Sequence, residues 1–270
     1  MMLQTPFPPD GDPPEVSVVV PVYGNEASLR ELDRRIARAL DRAGRRHERI
    51  LVLDASPDDS VAVAEALAAQ DDRLGWLVLL VNVGQHRAFR TGLVHARGRW
   101  VVTLDADLQD PPEAIPELLE TAERGWDAVF AGRRGSFQSG GRMLTSRFFK
   151  RLQEALTGVP RDAGMFHVAS RRLVDRVLDF PDHLRFHLPQ VGLAGLPMTS
   201  IPVTRESRGE GESSYTGWRR LRMGLEVTTF ALRMRLGLGP GRSRGSDPVR
   251  VGRRGGVCAV PPELPAWVVG

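Results

Sequence analysis

Five short, nearly continuous apolar runs, at residues 16–22, 49–54, 76–81, 100–105 and 127–132, alternate with amphipathic stretches at 27–43, 60–69, 85–96 and 112–124. Runs of this kind suit strands covered on both faces, and the helical stretches between them supply the cover. The pattern therefore predicts an α/β fold: a mostly parallel central sheet flanked by helices. The fourth helix opens on Pro111-Pro112, where a missing N–H costs nothing. Each strand of such a sheet delivers its following loop to one edge, and ligands of open α/β sheets bind there.

Composition removes several chemistries. A chain of 270 residues with 41% hydrophobic side chains can bury a core without covalent staples. Its 37 basic residues include one lysine, Lys150, set in Phe148-Phe149-Lys150-Arg151. A Walker loop and a pyridoxal enzyme each need a lysine in a defined setting, so both are excluded. A single cysteine, Cys258, excludes internal disulfides and multi-cysteine metal sites and suits a reducing, cytoplasmic setting. The proline-rich, acidic start lacks the pattern of a signal peptide, and no apolar run approaches the ~18 residues of a membrane span. The expectation is a soluble protein or one peripheral on the inner face of a membrane. Most arginines read as solvated surface, and nucleic acid is not an expected partner.

The second half is less regular. A Gly-, Ser- and Arg-rich loop is expected over 133–147, helices at 144–156, 171–179 and 185–193, a strand at 198–203 and a polar loop from 205 to 215. Residues 216–236 place Leu221, Leu225, Phe230, Leu232 and Leu236 near helical spacing among arginines, as in a helix lying on an anionic bilayer. An apolar stripe packed on the body of the protein fits the same spacing. Residues 1–14 and 237–270 are expected to lack fixed structure.

The chemistry concentrates at strand ends. Val101-Val102-Thr103-Leu104-Asp105-Ala106-Asp107-Leu108-Gln109-Asp110 delivers two carboxylates one residue apart from a buried strand, with an amide and a third carboxylate beyond. Mg²⁺ and Mn²⁺ take oxygen ligands and are commonly shared between carboxylates and substrate phosphates. Asp105, Asp107 and Gln109 are the candidate metal set. The first strand ends at Pro21-Val22-Tyr23-Gly24-Asn25-Glu26, where an aromatic and a carboxylate suit a nucleotide base, although a capped turn is the better reading of this segment taken alone. At the second strand end Asp54 is the candidate ligand, and Asp58 or Ser60 reads as a helix cap. The third ends at Asn82-Val83-Gly84-Gln85-His86-Arg87, either a ligand loop or a polar helix start.

In order along the chain, these segments, with Gly132-Arg133, residues 164–171 and Arg208-Gly209-Glu210-Gly211-Glu212-Ser213-Ser214-Tyr215, resemble the family 2 glycosyltransferases of GT-A fold. The resemblance is greatest to the branch containing dolichyl-phosphate mannosyltransferase and the bacterial polyprenyl-phosphate glycosyltransferases, and it covers roughly residues 15–236. It implies a GT-A catalytic domain over 15–215 that moves a sugar, with inversion, from a nucleotide-diphosphate sugar to a polyprenyl phosphate. Pro21, Tyr23, Glu26, Asp54 and Asp105 would contact the nucleotide. Asp105, Asp107 and Gln109 would surround Mg²⁺ or Mn²⁺ and the diphosphate, and Arg133 and Arg208 would hold phosphate groups, as arginine's planar fork suits.

Three features depart from the family pattern. Ala55 stands where Asp or Gly is common, Met165 and His167 stand where polyprenyl-phosphate relatives often carry Asp and Arg, and the membrane-spanning helices into which many, though not all, relatives continue are not expected from these residues. A phosphate acceptor attacks as an anion, whereas a hydroxyl acceptor needs a general base. Asp162 is the carboxylate nominated for that work, Asp110 the second, and His167 a weaker third. The alternatives are a transferase acting on a soluble hydroxyl acceptor in secondary metabolism, a non-catalytic binding module on a transferase fold, and a haloacid-dehalogenase-like phosphatase. The last places its Asp-x-Asp on the first strand and needs a lysine that only Lys150 could supply.

Overall fold

A computed structural model describes residues 13–133, 151–152, 154–180, 187–205, 228–232, 236 and 251–255, the backbone alone at 133 and 251–255. The elements run β1 (Val16–Val22), α1 (Glu26–Arg42), β2 (His47–Leu53), α2 (Ser60–Ala68), β3 (Leu74–Leu79), α3 (Gln85–His95) and β4 (Trp100–Thr103). A 3₁₀ turn (Pro112–Ala114) leads into α4 (Ile115–Ala122), followed by β5 (Ala128–Arg133), β6 (His167–Ser170), α5 (Arg171–Leu178), α6 (His187–Leu193), β7 (Met198–Val203) and β8 (Val251–Gly255). All strands join one sheet in the order β7-β5-β6-β4-β1-β2-β3-β8. The pairs β1–β2, β2–β3, β1–β4 and β5–β7 are parallel, and β6 and β8 run antiparallel to their neighbours.

Side-chain alternation splits the core in two. Val16, Val18, Val20 and Val22 of β1 face a layer built with Leu29, Leu32 and Ile36 of α1 and Leu118 of α4. Val19 faces the other side, with Ile50, Val52, Phe89, Leu93 and the apolar residues of α5. Both faces of the central strands are thus buried, as the continuous apolar runs require. Helix α3 lies close against the sheet because residue 92 is glycine: a Cβ there would come within 2.2 Å of Val19 Cγ1.

At the edge where the parallel strands begin, arginines neutralise buried carboxylates. Glu48, fully buried, accepts from Ser17 Oγ at 2.6 Å and from the Arg97 backbone and guanidinium at 2.7 to 2.9 Å. Arg49, 1% exposed, donates to Asp33 at 2.6 Å and to Asp71 at 2.9 Å. Burial alone would raise the Asp71 carboxyl, but the Arg73 and Arg49 guanidiniums outweigh it and hold it well below the usual range.

Several expected boundaries move. The fourth strand ends at Thr103 and not 105, because its last bond to β1 is Leu104 N–H donating to Val19 O. The third spans Leu74–Leu79, and Leu80 and Val81, expected within it, lie beyond its pairing with β2 and are exposed. Strand β6 is absent from the expected strands: it has four residues and carries a histidine. The tail, expected to lack structure, contributes β8, which covers the free edge of β3 with backbone hydrogen bonds that need no apolar pattern. Residues 134–147 of the loop expected over 133–147 and the Arg208 motif lie outside the described residues, as do most of the helix expected at 144–156 and of the basic stretch 216–236. Within that stretch residues 228–232 are helical. Among the described residues no helix is long and apolar enough to cross a membrane.

Candidate active site

The chain builds β1, β2 and β3 outward in one direction and then returns to place β4 on the other side of β1. The strand order therefore reverses between β1 and β4, which opens a crevice at their C-terminal ends. Pro21 sits where this opening begins. Val19 O accepts from Leu104, so the residue two further along β1 also turns its backbone toward β4, past the last paired residues Val19 and Thr103. A missing N–H is harmless there. Pro21 is buried.

Asp105 and Asp107 follow β4 directly into this crevice, the first partly buried and the second exposed. The turn is tight: Leu108 has φ +59°, a left-handed conformation costly for a branched side chain, and the Asp107 carboxylate accepts the Gln109 N–H at 3.1 Å. Ser28, in the first turn of α1, donates to the Ala106 carbonyl at 2.7 Å and ties the turn to that helix. Gln85, the first residue of α3, donates through Nε2 to Asp105. Asp110 is 1% exposed and accepts from Arg205, just beyond β7. Burial pushes the Asp105 carboxyl up, the charges of Asp110 and Asp107 push it further, and Arg205 and Gln85 only partly offset them, so that it titrates at about 6. The turn is thus a place of excess negative charge.

The loops after β1 and β2 are laced together. Ser56 Oγ accepts from Gly24 N–H at 2.8 Å, Asp58 from Glu26 N–H at 2.9 Å, and Glu26 from Asp59 N–H at 3.2 Å. Burial would raise Asp58, but hydrogen bonds from Ser56, Ser60 and Glu26 hold it at about 2. Tyr23, just beyond β1, stands out at 53% exposure. Ala55 has φ +51°, which accounts for the expectation of Asp or Gly at this position, since those residues tolerate the left-handed region better than alanine. Asp54 is 3% exposed, and both of its oxygens are occupied, by Val83 N–H at 2.7 Å and Gly84 N–H at 2.8 Å. It floors the crevice and organises the neighbouring loop. Burial raises its carboxyl, and these two backbone donors counter the rise.

Asp162 lies on the β5–β7 side. It accepts from Ser200 Oγ at 3.0 Å, and its Oδ2 occupies the space a side chain at Gly132 would need, 2.2 Å from a Cβ built there. The backbone of Arg133 closes β5 at the same edge, while Arg208 lies outside the described residues. His167, the third base candidate, is a core residue: it is fully buried, 2.9 Å from Thr103 Oγ1, and its ring lies 5.3 Å from that of His187. Burial lowers it to about 4. Arg205 and Ser28 were not foreseen as site residues, and Gln85 and Ser56 were named only within the loops after the third and second strands. The signal for Arg205 was its place at the start of the polar loop that follows β7.

The glycosyl transferase family 2 model matches residues 17–178, which run from the second residue of β1 through α5 and include every described carboxylate of the crevice. The chain belongs to glycosyl transferase family 2. It is 37% identical over 227 residues to the undecaprenyl-phosphate 4-deoxy-4-formamido-L-arabinose transferase of Shewanella sediminis, an alignment covering 81% of this chain and 68% of that protein. Among solved structures it is similar to the mannosyltransferase of Pyrobaculum calidifontis in complex with GDP-Man and Mn2+, with TM-score 0.61 and 23% identity over 85% of this chain and 66% of that one. It is also similar to glucosyl-3-phosphoglycerate synthase of Mycobacterium tuberculosis in complex with Mn2+, UDP and glucosyl-3-phosphoglycerate, with TM-score 0.59 and 21% identity over 84% of this chain and 81% of that one. The fold is therefore that of the GT-A glycosyltransferases.

Among the described residues no three of His, Cys, Asp and Glu gather into a ready cation cage. Two carboxylates on one turn, with a neighbouring amide and excess negative charge, instead fit a family 2 cation site completed by substrate oxygens.

Proposed function

We propose that the protein is an inverting glycosyltransferase that takes a sugar from a nucleotide-diphosphate donor and places it on a polyprenyl phosphate. The observation that carries this reading is the charge excess at the β1–β4 crevice, where Asp107 and Asp110 add to the burial that raises Asp105. Asp105 and Asp107, with Gln109, would hold Mg²⁺ or Mn²⁺ beside the donor diphosphate. The bound cation would supply charge neutralisation for the departing nucleoside diphosphate. Tyr23 and Glu26 form the nucleotide wall over the floor that Pro21 and Asp54 build, and Arg133 and Arg208 serve as phosphate contacts.

The acceptor follows from what the carboxylates are doing. Asp110 is buried and bonded to Arg205, and Asp162 is bonded to Ser200 and packed on Gly132. These engagements favour an acceptor that arrives as an anion and needs no base, as a lipid phosphate does. The undecaprenyl-phosphate transferase relative supports the same class. Peripheral contact with an anionic membrane through the arginine-rich stretch 216–236 would bring such a lipid to the edge, and sedimentation with anionic liposomes that weakens with salt is its check. The donor half is tested by calorimetry with UDP- and GDP-sugars. Binding should require Mn²⁺ or Mg²⁺ and vanish in EDTA, and equal binding of all donors with and without metal would overturn the reading.

A further inference from the structure

Asp54 and Asp105 end different strands, β2 and β4, and no bond joins them directly. The start of α3 connects them. Asp54 accepts the N–H groups of Val83 and Gly84, and the Asn82 side chain donates to the Asp54 carbonyl at 3.2 Å. Three hydrogen bonds thus fix residues 82–84 to the end of β2. Gly84, with φ +85°, turns the chain into α3, and its carbonyl accepts from Arg87 and Ala88 N–H at 3.1 Å. The helix cannot slide, because Phe89 and Leu93 are buried beneath it and Gly92 lies against Val19. Gln85 therefore leaves a rigid helix start, and its Nε2 donates to Asp105 Oδ1.

We infer that Asp54 and Gln85 are positioning residues that hold the Asp105 carboxylate in the orientation a divalent cation needs, Asp54 acting through the 82–84 loop and not as a nucleotide contact. The inference rests on the proposed metal-dependent donor site. With one oxygen held by the Gln85 amide, Asp105 lacks the rotamer freedom an exposed aspartate would lose on binding. Loss of a partner that orients a metal ligand typically weakens metal affinity by about 10–100-fold. Gln85 is exposed and supports no core packing, so its removal spares the fold.

The test titrates the purified full chain with Mn²⁺ in the presence of UDP, reading free Mn²⁺ by electron paramagnetic resonance, and measures UDP affinity separately in EDTA. Gln85→Ala should weaken Mn²⁺ binding about tenfold or more. Gln85→Met, which keeps the length but removes the amide donor, should weaken it to a similar extent. Melting temperature and UDP affinity in EDTA should stay at wild-type values in both. Asp54→Asn should likewise weaken Mn²⁺ binding, together with a lower melting temperature, because its amide sets a donor against one of the two backbone N–H groups. Unchanged Mn²⁺ affinity in the Gln85 variants would overturn the inference, and a fall in metal-free UDP affinity with Mn²⁺ affinity intact in Asp54→Asn would make Asp54 a nucleotide contact instead. If the wild-type chain itself fails to bind Mn²⁺ with UDP, the donor-site reading falls and takes the inference with it.

Discussion

The two ends of the parallel strands use carboxylates in opposite ways. Where the strands begin, Glu48 and Asp71 are gripped by Arg97, Arg49 and Arg73, and Asp71 is held well below the usual carboxylate range. Where they end, Asp105 is pushed up to about 6 by burial and by its acidic neighbours, with Arg205 only partly compensating. The first edge is built to stay folded, since its partners are internal and its charge is satisfied. The second holds charge, together with the left-handed Ala55 and Leu108, in an arrangement that an external cation and an anionic substrate would complete. Stability and function are thus separated along the strand direction.

Four changes would break or sharpen that contrast. Asp107→Asn should lower transfer about a thousandfold, roughly 4 kcal/mol of barrier, with little change in melting temperature because the side chain is exposed. Full activity in that variant would remove the functional edge from the account. Arg49→Met at the opposite edge should do the reverse, costing about 3 kcal/mol of stability in urea unfolding by leaving buried Asp33 without its cation, Asp71 keeping Arg73, while the folded fraction keeps its activity.

The third change is in pH. Burial holds His167 neutral in the fold, at about 4, below its value in the unfolded chain. Unfolded protein therefore binds the extra proton first, and stability present above about pH 6.5 is lost as pH falls toward 4, by on the order of 3 kcal/mol. His167→Gln should make the dependence of melting temperature on pH shallower across that window, with buried His187 beside it still contributing, whereas an unaltered slope would assign it to other groups. The smallest effect is expected of Ala55→Gly. Relief of a left-handed alanine, offset by the entropy of an added glycine, should change stability by less than about 1 kcal/mol, and a loss of several would mean that the alanine methyl packs in the crevice wall.

The contrast also explains what could be read before the fold was seen. The buried strands announced themselves as apolar runs, and Asp105 and Asp107 were legible because they are consecutive with one. Strand β6 is too short for periodicity, and β8 joins by backbone pairing along the β3 edge, which leaves no side-chain pattern. Asp54 was legible as a carboxylate at a strand end. That its oxygens are spent on Val83 and Gly84 depends on how two loops meet, as do the pairing of Arg205 with Asp110, 95 residues earlier, and the reach of Gln85 to Asp105. Local sequence specifies which group reaches the edge, and tertiary packing decides which way it points.

The central claim is that the negatively charged edge moves a sugar from a nucleotide to a lipid phosphate. The most direct measurement incubates the protein with Mn²⁺, undecaprenyl phosphate in detergent micelles and a panel of radiolabelled UDP- and GDP-sugars, then separates organic-soluble from water-soluble label. The account predicts label in the organic phase from at least one donor, abolished by EDTA and by Asp107→Asn. Label that stays in water, as unreacted donor or on an added soluble alcohol, would contradict it.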